Sequence, residues 1–282
     1  MPDASPAERI AASLAYINWT VLAALAVGAF GAVVLARLRT DATRGFLAFT
    51  GLCAAGFGLL AILSDLALPR ALGGPIEPDP AFDLPRRIAL GACTVLSLAY
   101  AVAVARGRRA PAIGLGGLAA GLVALGAAAL GWGGGLPGAG PLFVQLVVLA
   151  AATGGVFAAM ILGHWYLVTP KLSERPLVLF ARALLWIVGL QVLLFLAWTT
   201  TGTGPGGADG PFAALVGPWA LFVWLRLLVG LVFPLVVVWM ALQTARSRSM
   251  ESATGLLYIS VGTIAAGTIL AAGLYFGAGL LV

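Results

Sequence analysis

Few residues in this sequence can do chemistry, and several of them sit together. The stretch "MILGHWYLVTPKL", residues 160–172, holds His164 and Lys171, the single histidine and the single lysine of a 282-residue chain. Imidazole titrates near neutrality, so a histidine here can exchange a proton with a ligand oxygen. Tyr166 can donate a hydrogen bond, and Arg182 stands on the next helical segment at a similar estimated depth. Two cations with no acid beside them would complement a carbonyl, a carboxylate or a phosphate. Arg226 is the second focus. It lies deep in "WALFVWLRLLVGLVFPLV", where an arginine costs about 2.5–3.5 kcal/mol to place and is functional by default. Gly230 and Pro234 share its face at helical spacing. Proline removes a backbone donor and crowds the carbonyl four residues back, so the pair predicts a hinge there.

Other chemistries are poorly supplied. Two cysteines, Cys53 and Cys93, cannot ligate an iron–sulfur cluster, and no CxxCH exists for covalent haem. No HExxH and no paired intramembrane carboxylates occur, which disfavours metal-dependent hydrolysis. The alternative for Arg226 is a structural role, bonded to carbonyls of neighbouring helices or paired with Asp65, although Asp65 at the outer end of the second span is a long reach. The expectation is no metal and no covalently bound cofactor, with quinone as the candidate ligand.

The elements that position these residues are membrane spans. The chain is 61% hydrophobic and 9% charged, far below the quarter charged of soluble domains, and apolar runs of 18 or more residues recur along it. The fold class is all-α, a polytopic transmembrane helix bundle of about eight spans forming a single integral membrane domain over 1–282. The spans are expected at 12–36, 45–67, 86–105, 111–132, 141–168, 177–199, 213–243 and 253–281. Ser5, Pro6 and Glu8 fit a capping box. Asp41, Asp83, Ser173, Asp209 and Ser249 suit helix caps, and Pro141 and Pro211 suit first turns. No sequence repeat relates residues 1–140 to 141–282. In the last span Gly255, Gly262 and Gly267 form a surface for close helix packing.

The net charge of +6 reflects arginines at span ends rather than a nucleic-acid surface. Arg37, Arg39, Arg44, Arg106, Arg108, Arg109, Lys171, Arg175, Arg246 and Arg248 fall in one set of loops. Arg9, Arg70, Arg86 and Arg87 fall in the other, diluted by Glu77, Asp79 and Asp83. The positive-inside rule then places both termini outside the cytoplasm. Arginine over lysine, with abundant alanine and glycine, suggests a bacterial inner-membrane protein.

"GHWYLVTPKL", with the C-terminal "SRSMESATGLLYI", resembles bacterial multi-spanning inner-membrane proteins of an uncharacterised family. That resemblance implies a recurring eight-helix object and carries no activity. The residues point to a subunit of an electron-transfer assembly that binds quinone or a lipid headgroup near the cytoplasmic interface through His164, Tyr166, Arg182 and Arg226. Its partners would be the bilayer and other membrane or peripheral subunits. The alternatives are a transporter or flippase for an amphiphilic anion, and a membrane scaffold or assembly factor.

Overall fold

The computed structural model describes residues 4–72, 74–169, 172–207 and 210–282. Lys171 and the capping residue Asp209 lie outside them. Eight of the helical segments are long and apolar enough to cross a membrane, and no strand occurs among the described residues. The chain is an all-helical, multi-pass membrane protein.

A short helix α1 (Pro6–Ala12) opens the fold. Its capping box is formed: the Ser5 hydroxyl accepts from the Glu8 amide at 3.4 Å, and the Glu8 carboxylate accepts from the Ser5 amide at 2.7 Å. The spans follow as α2 (Leu14–Arg39), α3 (Arg44–Leu66), α4 (Asp83–Ala105), α5 (Pro111–Trp132), α6 (Leu136–Val168) and α7 (Arg175–Thr201). The seventh span is built from α8 (Ala220–Leu227), a π turn (Leu228–Val232) and α9 (Phe233–Arg246); α10 (Met250–Ala278) is the eighth. Helix starts differ locally from the sequence expectation. Thr43 rather than Asp41 caps α3, Pro141 sits inside α6, and Pro211 precedes a 3-10 turn well before α8.

The packing repeats. In the first half α2, α3, α4 and α5 pack in a ring, and in the second α6, α7, α9 and α10 do the same. The fourth span of each half rests on the first span of the other, α5 on α6 and α10 on α2. Each half begins on the same side of the bundle, so the halves form a parallel repeat about an axis along the span direction. Gly114, Gly121 and Gly126 of α5 have the spacing of Gly255, Gly262 and Gly267 of α10. The third spans also end alike, on left-handed residues Gly107 (φ 82°) and Arg248 (φ 60°). Sequence comparison of the two halves misses this, because their likeness lies in helix order and glycine spacing among interchangeable apolar residues.

The halves meet where α2 crosses α6. A Cβ on Gly28 would lie 1.7 Å from the Ala150 carbonyl oxygen, and one on Gly154 would lie 2.1 Å from the Ala29 amide nitrogen. Only glycine allows two backbones this close, and in lipid such packing replaces the hydrophobic drive between helices. Thr153 and Thr268 add a buried hydroxyl–hydroxyl bond at 2.7 Å between α6 and α10.

Candidate functional site

Beside the α2–α6 crossing the bundle leaves a cavity of about 290 Å³. Its walls come from α2, α5, α6 and α7, and every lining residue is Gly, Ala, Val, Leu, Ile or Phe. Gly28, Gly31 and Gly155 contribute no side chain to its walls, which Leu118, Leu122, Phe180 and Leu184 help to form. On α2 the lining runs through Ala32 and Leu35; one turn farther, on the same face, stands exposed Arg39. The groove thus leads from mid-bundle toward the arginine-rich end. No lining side chain is polar, so what the groove suits is hydrocarbon.

The buried charges form two clusters at corresponding places in the two halves. In the first half, Arg86 (1% exposed) meets Asp65 (0% exposed) in a two-point pair, Nε to Oδ2 at 2.6 Å and Nη2 to Oδ1 at 3.1 Å. Arg87 donates to the same carboxylate at 2.6 Å, and Asp83 accepts from Arg86 at 2.9 Å. The Arg86 guanidinium lies 4.8 Å from the Trp132 ring centre and 5.8 Å from that of Trp19. Trp19 and Trp132 themselves meet edge to face at 4.8 Å. This arrangement fixes α2, α3, α4 and α5 to one another; every Asp65 oxygen is engaged, so the cluster is a structural staple. Asp65 is therefore the partner of α4's arginines and not of Arg226. The signal was legible: Asp65 closes the second span and Arg86 opens the third, which puts them at one depth in a hairpin. Arg86 and Arg87 belong to a helix and not to a loop.

In the second half Arg226 (2% exposed) reaches from α8 to α7. Its Nη2 donates to Gln191 Oε1 at 3.2 Å, Nη1 to the Gly230 carbonyl at 3.3 Å and Nε to the Val282 oxygen at 3.4 Å. Gln191 in turn donates to the Val148 carbonyl at 3.2 Å. Counted back from the matching helix ends, Arg226 lies one residue farther than Arg86, the residue that a π turn inserts. Gly230 and Gly267 pack backbone to backbone; a Cβ on Gly230 would lie 2.6 Å from the Gly267 Cα. Pro234 sits just after the π turn, at the start of α9. The cavity beside Arg226, shared with Gln145, Gln191 and Trp198, measures about 10 Å³, room for a water-sized group.

The structure does not draw His164, Tyr166 and Arg182 into one pocket. His164 and Arg182 are both exposed, on α6 and α7, with no hydrogen bond or ion pair between them. Tyr166 is buried, its hydroxyl committed to the Ser173 carbonyl. Trp165 packs over Gly45 and faces Phe49. On α7, Arg182 falls between groove residues Phe180 and Ala183 in sequence but points to another face. Cys53 and Cys93 are free thiols, and no cluster of three or more His, Cys, Asp or Glu occurs among the described residues.

Compared with protein-family models, with curated proteins and with solved structures, the chain matches none of them.

Proposed function

We propose that the protein is a quinone-binding membrane subunit of a bacterial electron-transfer assembly, with its arginine-rich end in the cytoplasm. The observation that carries this reading is the wholly apolar groove between the halves, about 290 Å³ and leading toward Arg39. Ligand pockets run from about 300 to 1,000 Å³ and combine apolar walls with a few polar groups at one end. A quinone has that division, with a long hydrocarbon tail and two carbonyl oxygens. In this reading the tail lies in the groove and the head meets the Arg39 guanidinium at the arginine-rich end, while His164 exchanges the protons of reduction. Electrons come from a partner subunit docked at that end.

The test is what the protein carries. An organic extract of the purified protein, or of its complex, should contain quinone at near one equivalent, and His164→Ala should slow quinone-linked electron transfer without loss of folded protein. An extract holding only bulk phospholipid would overturn the reading.

A second reading, movement of an amphiphilic anion, is favoured by one observation. Buried Arg226 stands beside a π turn with Gly230 and Pro234 in the same span, and parallel repeats are a known transporter plan. Uptake into proteoliposomes that Arg226→Leu abolishes would support it; equal uptake by that variant would remove it.

A further inference from the structure

The repeat gives the α2–α6 crossing two corresponding sides, and the groove lies on one of them. The two sides differ at a pair of corresponding residues. Gly31 stands three residues after Gly28, and Phe157 stands three residues after Gly154. Since Gly28 and Gly154 meet at the crossing, Gly31 and Phe157 occupy corresponding places in the repeat. Gly31 lines the open groove. Phe157 faces α3, and its ring packs against Phe57 at 5.1 Å and 79°, across the place where the second groove would run.

We propose that the open groove is a site for the tail of one single-chained polyisoprenoid amphiphile, and that Phe157 limits the protein to one such site. This rests on the quinone reading and adds the pose, the stoichiometry and the residues that set them. The occupant follows from shape and charge. An α-helix with side chains is about 10–12 Å across, too wide for a cleft of about 290 Å³ walled on three sides by helices. A two-chained phospholipid would leave one chain outside a groove that has room for one. The α2 lining runs from Val27 to Leu35, about 12 Å of helix, so a single isoprenoid chain lays the head-proximal part of its tail there, against apolar walls that displace looser lipid or water at the open edge. The Arg39 guanidinium then lies near the end of the tail, where a carbonyl oxygen accepts from it.

The experiment is native mass spectrometry of the whole protein released from quinone-containing membranes in mild detergent. The wild type should retain one polyisoprenoid molecule per chain. Ala151→Phe, which fills the groove from α6, and Gly31→Phe, which copies the closed side, should each retain none. Phe157→Ala should open the second groove and raise the stoichiometry toward two. Monodispersity and melting temperature identify variants that misfold, and Ala151→Phe, on a partly exposed wall, serves if Gly31→Phe does not fold. Quinone retained equally by wild type and Ala151→Phe, with no gain in Phe157→Ala, would overturn the groove as the tail site while leaving quinone binding itself standing. A phospholipid retained by the wild type and lost in Ala151→Phe would overturn the polyisoprenoid assignment and the quinone reading together.

Discussion

Gly28 and Gly154 touch backbone to backbone, and through that contact the two four-helix halves become one body. A Cβ on Gly154 would lie 2.3 Å from the Gly28 carbonyl carbon, nearer than atoms can approach without displacing a helix. Overpacking costs about 1–3 kcal/mol where side chains can yield; here backbone must move, so Gly154→Leu should cost at least the upper figure. Thermal unfolding of the purified variant should show a lowered melting temperature. Gly189→Leu, at a position with open space around it, should change little.

Asp65 holds two arginines. Removing one member of a buried pair strands the other charge and costs about 3–5 kcal/mol, so Asp65→Asn should be among the most damaging single changes in the first half. Asp65→Leu combined with Arg86→Met should recover part of the loss, because the charges leave together. Denaturation curves of the two variants and the wild type test this. Equal stability of Asp65→Asn and wild type would contradict the staple.

Arg226 bonds to the oxygens of Gln191, Gly230 and Val282. Arg226→Leu leaves Gln191 Oε1 and the Gly230 carbonyl without that donor, a cost of about 1–3 kcal/mol for each buried group left unpaired. Gly267→Ala should be costly as well, since its Cβ would lie 2.7 Å from the Gly230 Cα and 2.8 Å from the Arg226 guanidinium. Local hydrogen exchange over residues 226–234 should rise in both variants.

The α1 cap should respond to acid. Hydrogen bonds from the Ser5 amide and hydroxyl hold the Glu8 carboxyl below its ordinary range. A lowered folded-state value means that the stabilisation is present above the ordinary carboxylate range and is lost as pH falls through the lowered value. Amide exchange in residues 8–12 should therefore quicken on acidification. In Glu8→Gln the exchange, corrected for intrinsic rates, should lose that pH dependence.

Much of the fold was legible in the residues. Apolar run length marks the eight spans, and the Ser5–Glu8 spacing marks the cap, because both are local properties. The pairing of spans was not legible. Leucine, alanine and valine carry no partner information in lipid, so the parallel repeat emerges only when Gly28 meets Gly154 and α5 and α10 show one glycine spacing. The candidate site divides in the same way. Arg226 declared itself by being charged in an apolar run, but the amide and carbonyl oxygens that it bonds to, those of Gln191 and Gly230, carry no signal in the sequence. The groove contains nothing but ordinary apolar residues, and no sequence pattern distinguishes Gly31 as a lining residue. His164 drew attention by rarity, which is a property of composition and not of geometry.

A hydrocarbon tail held between the halves would be visible in a high-resolution map of the protein in a lipid nanodisc containing quinone. One elongated density is expected along Gly28, Gly31 and Leu35, ending in a ring-sized head near Arg39, with none between Phe57 and Phe157. A groove filled by neighbouring side chains, or carrying only the diffuse density of surrounding lipid, would contradict it.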